Sequence, residues 1–346
     1  MYLFCFGTRP ELIKLIPLIM HFKENNVNFQ TLFTGQHETL INDFLNYIEK
    51  PNFYFNDIME HGQSLNKLIS KIIFKFDEIL HNEKYDIIIQ GDTTSTLAIA
   101  LASFYKKFNI IHIEAGLRTF DIDNPYPEEM NRTIISNLSN LHFCPSEQSM
   151  LNLENQGIKK NKYLVGNTIV DAFNYFLKNS KPNNIISNLI SNNKHYIICT
   201  LHRNENRQNI IKLWEQINKL AIIHNYIKFI YIKHPSLNYS NKYLSENINI
   251  IEPINYIDMV HLINNCIGII TDSGGIQEEA LCCNKNILIC RTISERSEII
   301  DCGLGKLVNH DIINNFNFLL ENKKKINLNP LGENVSKQIY DVLKNL

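Results

Sequence analysis

Residues 109–132, NIIHIEAGLRTFDIDNPYPEEMNR, hold a dense set of groups able to do proton chemistry. An apolar run, Asn109–Ile113, stops at Glu114, Ala115, Gly116, Leu117, Arg118 and Thr119. A loop with two prolines follows, and then the paired acids Glu128 and Glu129. In doubly wound α/β proteins, ligands sit beyond the carboxyl ends of the parallel strands. Carboxylates held there can have pKa values suited to proton transfer. A salt-bridged loop that merely caps the sheet would show the same residues.

Other polar clusters also follow apolar runs. Gly7-Thr8-Arg9-Pro10-Glu11 follows the first, and Arg9 and Lys14 could serve an anion near a helix start. Thr34-Gly35-Gln36-His37 reads as a polar turn. In Gln90-Gly91-Asp92-Thr93-Thr94, Asp92 is either a helix cap or a general base. His202, Arg203 and Glu205 share one loop, and a His–Arg pair suits phosphate or proton-transfer work; Lys233-His234-Pro235 follows the next run in similar fashion. In Asp272-Ser273-Gly274-Gly275-Ile276-Gln277-Glu278-Glu279, the two glycines let backbone N–H groups approach a ligand where a helix begins. That arrangement suits a pyrophosphate. Glu279 is placed to accept from sugar hydroxyls such as a ribose diol. Arg291 or Arg296 could neutralise phosphate charge, and a surface salt-bridge cluster is an equal reading of that piece. Neither GxxxxGK[ST] nor GxGxxG occurs. His112 reads as a core histidine, and no HExxH or similar cluster suggests a metal.

These clusters need a scaffold that delivers strand ends to one edge. Short β-rich runs recur at 2–6, 29–33, 85–89, 110–113, 141–144 and 163–165, and again at 196–200, 228–232, 248–251, 268–271, 286–290 and 306–308. The runs are continuously apolar, as strands buried on both faces are. Helical patterns alternate with them. The expected class is α/β, with two Rossmann-like domains whose parallel sheets face an interdomain cleft. The expected division is a first domain over 1–175, a polar linker over 176–196 and a second domain over 197–333. A helix over 334–346 is expected to pack on the first domain.

The 346 residues suit two domains. Lys plus Arg is 34 and Asp plus Glu is 35, a net charge of −1, which argues against a general nucleic-acid or membrane-surface binder. The eight cysteines form no CxxC pair and read as reduced, buried thiols. The apolar start reads as strand, turn and helix rather than as a signal peptide. No run reaches the roughly 18 apolar residues of a membrane span.

Taken in order, GTRPELIK (7–14), TGQH (34–37), QGDTTST (90–96), HIEAGLRT (112–119), NPYPEEMNR (124–132), VGNTIVDA (165–172), LHRNEN (201–206), TDSGGIQEEA (271–280) and SERSE (294–298) resemble the non-hydrolysing UDP-N-acetylglucosamine 2-epimerase family. The resemblance implies a GT-B-like fold and reversible C2 epimerisation of UDP-GlcNAc to UDP-ManNAc, by UDP elimination to 2-acetamidoglucal and re-addition. It implies Asp92, Glu114 and Glu128 as acid/base residues, and His202 at the departing phosphate. Arg9, Lys14, His234, Ser273, Gly274, Gly275, Glu279 and Arg296 would hold UDP. Gln36, His37 and Gln63 resemble residues of a second, allosteric UDP-GlcNAc site. It further implies no cofactor or metal, a cytoplasmic homodimer, and sugar supply for surface polysaccharide. The sequence departs from the family at Asn204, where HRNEN replaces HRREN, and at Ser297. Lys233-His234-Pro235 is similar to relatives acting on UDP-2,3-diacetamido-2,3-dideoxyglucuronic acid. A hydrolysing 2-epimerase, a GT-B glycosyltransferase and a non-catalytic nucleotide-sugar sensor are the competing classes.

Overall fold

The structure is a computed structural model that describes residues 1–35, 42–60, 62–80, 84–201, 206, 209–233, 244–294, 296–321 and 329–346. The chain forms two compact units, Met1–Ala172 with Leu331–Leu346, and Phe173–Pro330. Each is a doubly wound parallel sheet.

The first unit contains β1 (Tyr2–Phe6), β2 (Phe29–Phe33), β3 (Phe53–Tyr54), β4 (Asp86–Gln90), β5 (Asn109–Ile113), β6 (Leu141–Cys144) and β7 (Lys162–Leu164). They form a seven-stranded sheet in the order β3-β2-β1-β4-β5-β6-β7, and all pairs are parallel. The second contains β8 (Tyr196–Thr200), β9 (Lys228–Ile232), β10 (Ile248–Ile251), β11 (Gly268–Thr271), β12 (Ile287–Ile289) and β13 (Gly305–Leu307). They make a six-stranded parallel sheet in the order β10-β9-β8-β11-β12-β13. Every strand read from the sequence is present, with ends displaced by no more than one residue. The addition is β3, two residues long, which is too short to carry a periodic signal.

Strand side chains alternate between faces. Leu3 pairs with Ile87 across β1 and β4. Together with Cys5 and Ile89 they form a core with Leu68, Ile72 and Phe76 of helix Leu65–Ile79 and with Ala98 and Ala102 of helix Thr94–Tyr105. Phe4 projects to the other face and meets the ring of Phe22, from helix Arg9–Glu24, edge-on at 5.1 Å. Tyr340 of the terminal helix Val335–Lys344 packs on the same Phe22 at 5.7 Å, so this helix completes the first unit after the chain has built the second. In the second unit, Ile197, Cys199, Phe229, Tyr231 and Ile270 pack on Leu213, Ile217 and Leu220 of helix Ile210–Ile223.

Residues 176–196, where polar composition suggested a linker, belong to the second unit as ordered structure. They hold the end of helix Ile169–Asn179, helix Asn184–Asn192 and the first residue of β8. Ile186 and Leu189 are buried, three residues apart on one helix face, and the Asn/Ser-rich remainder faces water. Asn183 starts this helix by accepting from Ile186 N at 2.9 Å.

The turn after β5 is fixed by a close backbone approach. Gly116 has φ +90°, and a Cβ there would lie 2.2 Å from the Ser149 carbonyl oxygen in helix Glu147–Asn155. Gly116→Ala should therefore destabilise the protein by about 3 kcal/mol or more, read as a drop in the denaturation midpoint. A midpoint within error of the wild type would show that the turn can relax away from the helix.

Candidate active site

In the first sheet the chain leaves β1 toward β2 on one side and, later, leaves β4 toward β5 on the other. The carboxyl ends of β1 and β4 thus flank the topological switch, where such sheets open a crevice. β5 lies beside β4, with Gln90 opposite Ile113, so Asp92 and Glu114 leave the sheet from adjacent strand ends.

Glu114 is buried and has φ +67°, a left-handed conformation uncommon for a residue with a side chain. Its Oε2 accepts from the Lys14 ammonium, from Gln90 Nε2 at 3.0 Å and from Asn167 Nδ2 at 3.0 Å. Lys14 is buried as well. A buried ion pair repays its desolvation only when further hydrogen bonds support it, and here two side-chain amides do so. The family resemblance implies Lys14 on UDP; in the structure Lys14 pairs with Glu114, through an alignment of helix Arg9–Glu24 with β5 that only the fold produces.

Asp92 is held differently. Its Oδ2 accepts from Arg132 Nε at 2.7 Å, and its carbonyl accepts from Asn131 Nδ2 at 2.8 Å. Arg132 donates onward to Glu129 Oε2 at 3.0 Å, and Glu129 Oε1 accepts from Phe120 N at 3.1 Å. The paired acids of the sequence are thereby separated. Glu129 is buried and structural, whereas Glu128 is half-buried at the first position of helix Glu128–Leu138. Arg118 is also structural. It donates to the Leu117 carbonyl at 2.6 Å, to Ser136 Oγ at 2.8 Å and to Gln156 Oε1, and burial lowers its pKa to about 10. His112 Nε2 donates to the Gly91 carbonyl at 2.8 Å, so the core histidine read from the sequence anchors the turn that carries Asp92.

Arg9 is half-buried at the first position of its helix, and no hydrogen bond or ion pair ties its guanidinium to the other described residues. A guanidinium so placed beside helix N–H groups suits a phosphate or carboxylate oxygen.

In the second unit, β8 and β11 flank the switch. Asp272, fully buried, accepts from Asn206 Nδ2 at 2.8 Å, and Asn206 also donates to the Cys290 carbonyl at 2.9 Å. These bonds tie together the loops after β8, β11 and β12. Ser273 precedes helix Gly274–Cys282 without capping it through its side chain. The helix therefore begins with first-turn amides that no side chain of its N-cap residue satisfies, an arrangement suited to an anion. Gly275 is exposed there, and a Cβ at this position would meet nothing within 4 Å. Glu279 is buried one helical turn beyond Gly275. Arg296 reaches the same helix through its ion pair with Glu278 Oε1 at 2.6 Å.

Gln63 lies just before helix Leu65–Ile79, where its Oε1 accepts from Glu60 N at 3.2 Å. His202, His234, Gln36 and His37 lie outside the described residues. Glu11, Gln90, Asn131, Arg132, Asn167 and Asn206 are not among the residues expected from sequence, although each sits inside or beside one of the strand-end motifs. Their signal is burial of a polar group, and a sequence does not display burial.

Two doubly wound parallel sheets, each with its polar groups gathered at a topological switch, define a two-Rossmann-domain, GT-B-like α/β protein. The family model for UDP-N-acetylglucosamine 2-epimerase matches residues 21–344. A UDP-N-acetylglucosamine 2-epimerase of Campylobacter jejuni is 40% identical over 328 residues, covering 88% of this chain and 85% of that protein. The crystal structure of the Neisseria meningitidis UDP-GlcNAc 2-epimerase bound to UDP-GlcNAc superposes with a TM-score of 0.88 at 34% identity, over 100% of both chains. That of the Methanocaldococcus jannaschii enzyme in complex with UDP-GlcNAc and UDP gives 0.86 at 31% identity, again over 100% of both. The chain belongs to the UDP-N-acetylglucosamine 2-epimerase family.

Burial holds the His112 imidazole neutral and lowers its pKa from 6.5 to about 3; His142 is lowered for the same reason. In the unfolded chain both titrate near their ordinary value. Below about pH 6.5 the unfolded state therefore binds protons that the native state does not, so stability is full above that pH and is lost as pH falls toward about 3. His112→Gln keeps an N–H for the Gly91 carbonyl. It should reduce the slope of unfolding free energy between pH 6 and 4 by about one proton, or about 1.4 kcal/mol per pH unit. Denaturant titrations at each pH measure this, and an unchanged slope would remove His112 from the acid response.

Proposed function

We propose that the protein interconverts UDP-GlcNAc and UDP-ManNAc by reversible elimination of UDP. The anomeric C–O bond breaks with its electron pair leaving on the UDP oxygen. The C2 proton passes to a carboxylate, and the C1–C2 double bond of 2-acetamidoglucal forms. Re-addition of the UDP oxygen at C1 and protonation of C2 from the opposite face complete the inversion. The observation that carries this reading is the pair of carboxylates at adjacent strand ends, Glu114 on Lys14 and Asp92 on Arg132, in a chain of this family.

Inversion at a carbon needs proton-handling groups for two faces. Asp92, Glu114 and Glu128 are assigned to it, with His202 assisting the departing phosphate. Glu114 and Asp92 each have a cation partner and a fixed backbone, so neither must reorganise as charge shifts. The nucleotide is assigned to the second unit, at the start of helix Gly274–Cys282, with Glu279 toward the ribose. Arg9 and Arg296 add positive charge near phosphate oxygens. Expulsion of a diphosphate is favoured where helix amides and guanidinium groups meet the developing charge. The same reading makes the protein a cytoplasmic homodimer that supplies an amino-sugar nucleotide for surface polysaccharide.

Incubation with UDP-GlcNAc in D2O, followed by NMR, tests the reaction. Deuterium at C2 together with UDP-ManNAc is expected. Free ManNAc would show hydrolysis instead. Absence of exchange would sink the reading for this sugar and direct the test to UDP-2,3-diacetamido-2,3-dideoxyglucuronic acid. Asp92→Asn and Glu114→Gln should each slow exchange roughly a hundred- to ten-thousand-fold, while UDP affinity by calorimetry stays within about threefold. Wild-type turnover in either variant would remove that residue from the chemistry.

Gly275→Ala separates binding from packing. The added methyl meets no protein atom, so stability should hold or rise by about 0.5 kcal/mol. UDP should bind roughly tenfold more weakly, because the methyl blocks close approach to the helix amides. Unchanged UDP affinity would take the diphosphate away from this helix.

A further inference from the structure

Glu11 stands outside the groups assigned to substrate, yet its buried carboxylate spans the switch between β1 and β4. Oε2 accepts from Gly7 N at 2.6 Å and Thr8 N at 3.1 Å, in the turn after β1. Oε1 accepts from the Thr93 hydroxyl at 2.5 Å and the Thr96 hydroxyl at 3.3 Å, after β4. Starting helix Arg9–Glu24 accounts for the bond from Thr8, since a glutamate at the third helical position commonly reaches back to the N-cap amide. It does not account for a carboxylate joined to a hydroxyl 82 residues further along the chain.

Thr93 directly follows Asp92. The other described anchors of this turn come from the β5 side of β4 and from helix Thr94–Tyr105. They are His112 on the Gly91 carbonyl, Gly91 N on the Ile113 carbonyl at 3.1 Å, and Asn131 and Arg132 on Asp92, while Thr93 also caps the helix that follows it by accepting from Thr96 N at 3.2 Å. Glu11 supplies the anchor from the β1 side. We propose that Glu11 is a positioning residue that holds the Gly91–Thr93 turn, and with it the Asp92 carboxylate, in fixed relation to the end of β1. The inference rests on the assignment of Asp92 to proton transfer. Burial pushes the Glu11 carboxyl above its ordinary range while the surrounding donors oppose that rise, so the group stays at the site only because both loops supply donors.

Without this anchor the Thr93 hydroxyl turns to other partners and the Asp92 turn loosens on one side. Displacement of a reacting group by about 1 Å can cost on the order of a hundredfold in rate. Thr93→Val leaves the bonds from Gly7 N and Thr8 N to Glu11 in place, and with them the turn that leads into Arg9. The loss therefore falls on kcat rather than on KM.

The experiment uses the full chain and compares Glu11→Ala, Glu11→Gln, Thr93→Val and Thr93→Ser. Readouts are C2 deuterium exchange with kcat and KM resolved, UDP binding by calorimetry, and thermal unfolding. Thr93→Val should lower kcat roughly ten- to a hundredfold with KM and UDP affinity within about twofold, and Glu11→Ala should lower kcat at least as much while also weakening UDP, because it releases the turn before Arg9. Glu11→Gln and Thr93→Ser should return most of kcat, because an amide can accept from Gly7 and Thr8 and donate to Thr93, and serine keeps the hydroxyl. Adding Thr93→Val to Asp92→Asn should change the residual exchange by less than about twofold. A stable Thr93→Val protein with wild-type kcat overturns the proposal, as does an equal loss of kcat and UDP affinity in that variant. If Glu11→Ala does not fold, Thr93→Asp decides, because it keeps a cap for Thr96 N but has no proton to donate to Glu11: a kcat loss of the size expected for Thr93→Val supports the proposal and wild-type kcat overturns it. Wild-type exchange by Asp92→Asn would overturn the assignment beneath the proposal, an outcome read without any change at Glu11.

Discussion

Taking a carboxylate out of water is the constraint around which the first unit is arranged. Glu11 and Glu114 are both buried where the strands end, and a carboxylate there must gather donors or lose its charge. No single loop supplies enough of them. Glu11 draws on the turns after β1 and β4, and Glu114 draws on helix Arg9–Glu24, on β4 and on the segment after β7. Satisfying each charge therefore ties together loops remote in sequence. The parallel sheet makes this feasible, because every strand delivers its carboxyl end to the same edge.

The two units solve different electrostatic problems on the same topology. The first collects carboxylates and gives them cations, Lys14 for Glu114 and Arg132 for Asp92. The second buries Asp272 on Asn206 and leaves the start of helix Gly274–Cys282 uncapped by Ser273. Proton chemistry needs groups that accept and release a proton in fixed geometry. A diphosphate needs amides and a helix end that do not titrate. Under the proposed function, the distribution of residue types follows that division. Arg118 and Glu129, which look like site residues in the sequence, serve as struts that fix the loop after β5 to helix Glu128–Leu138.

Much of the fold was legible because its signals are local. Runs buried on both faces are continuously apolar, and their ends fall within one residue of the observed strands. Helix Asn184–Asn192 was hidden because its apolar face is narrow and its polar face is rich in Asn and Ser, which resembles a linker in composition. The fate of Val335–Lys344 depended on Tyr340 meeting Phe22, a contact between the two ends of the chain.

The two doubly wound sheets, the family, and the strand-end motifs that carry Asp92, Glu114, Ser273 and Glu279 are all legible in the chain without coordinates. These are written in apolar periodicity and in short ordered words, each readable from neighbouring residues. Tertiary structure alone decided that Lys14 pairs with Glu114, that Arg132 holds Asp92, that Glu129 is a strut while Glu128 stays half-buried, and that Glu11 joins two turns. Those partnerships depend on which loops the strand order β3-β2-β1-β4-β5-β6-β7 brings side by side, and on which charges burial leaves in need of donors. Neither adjacency nor desolvation is a property of a residue and its sequence neighbours.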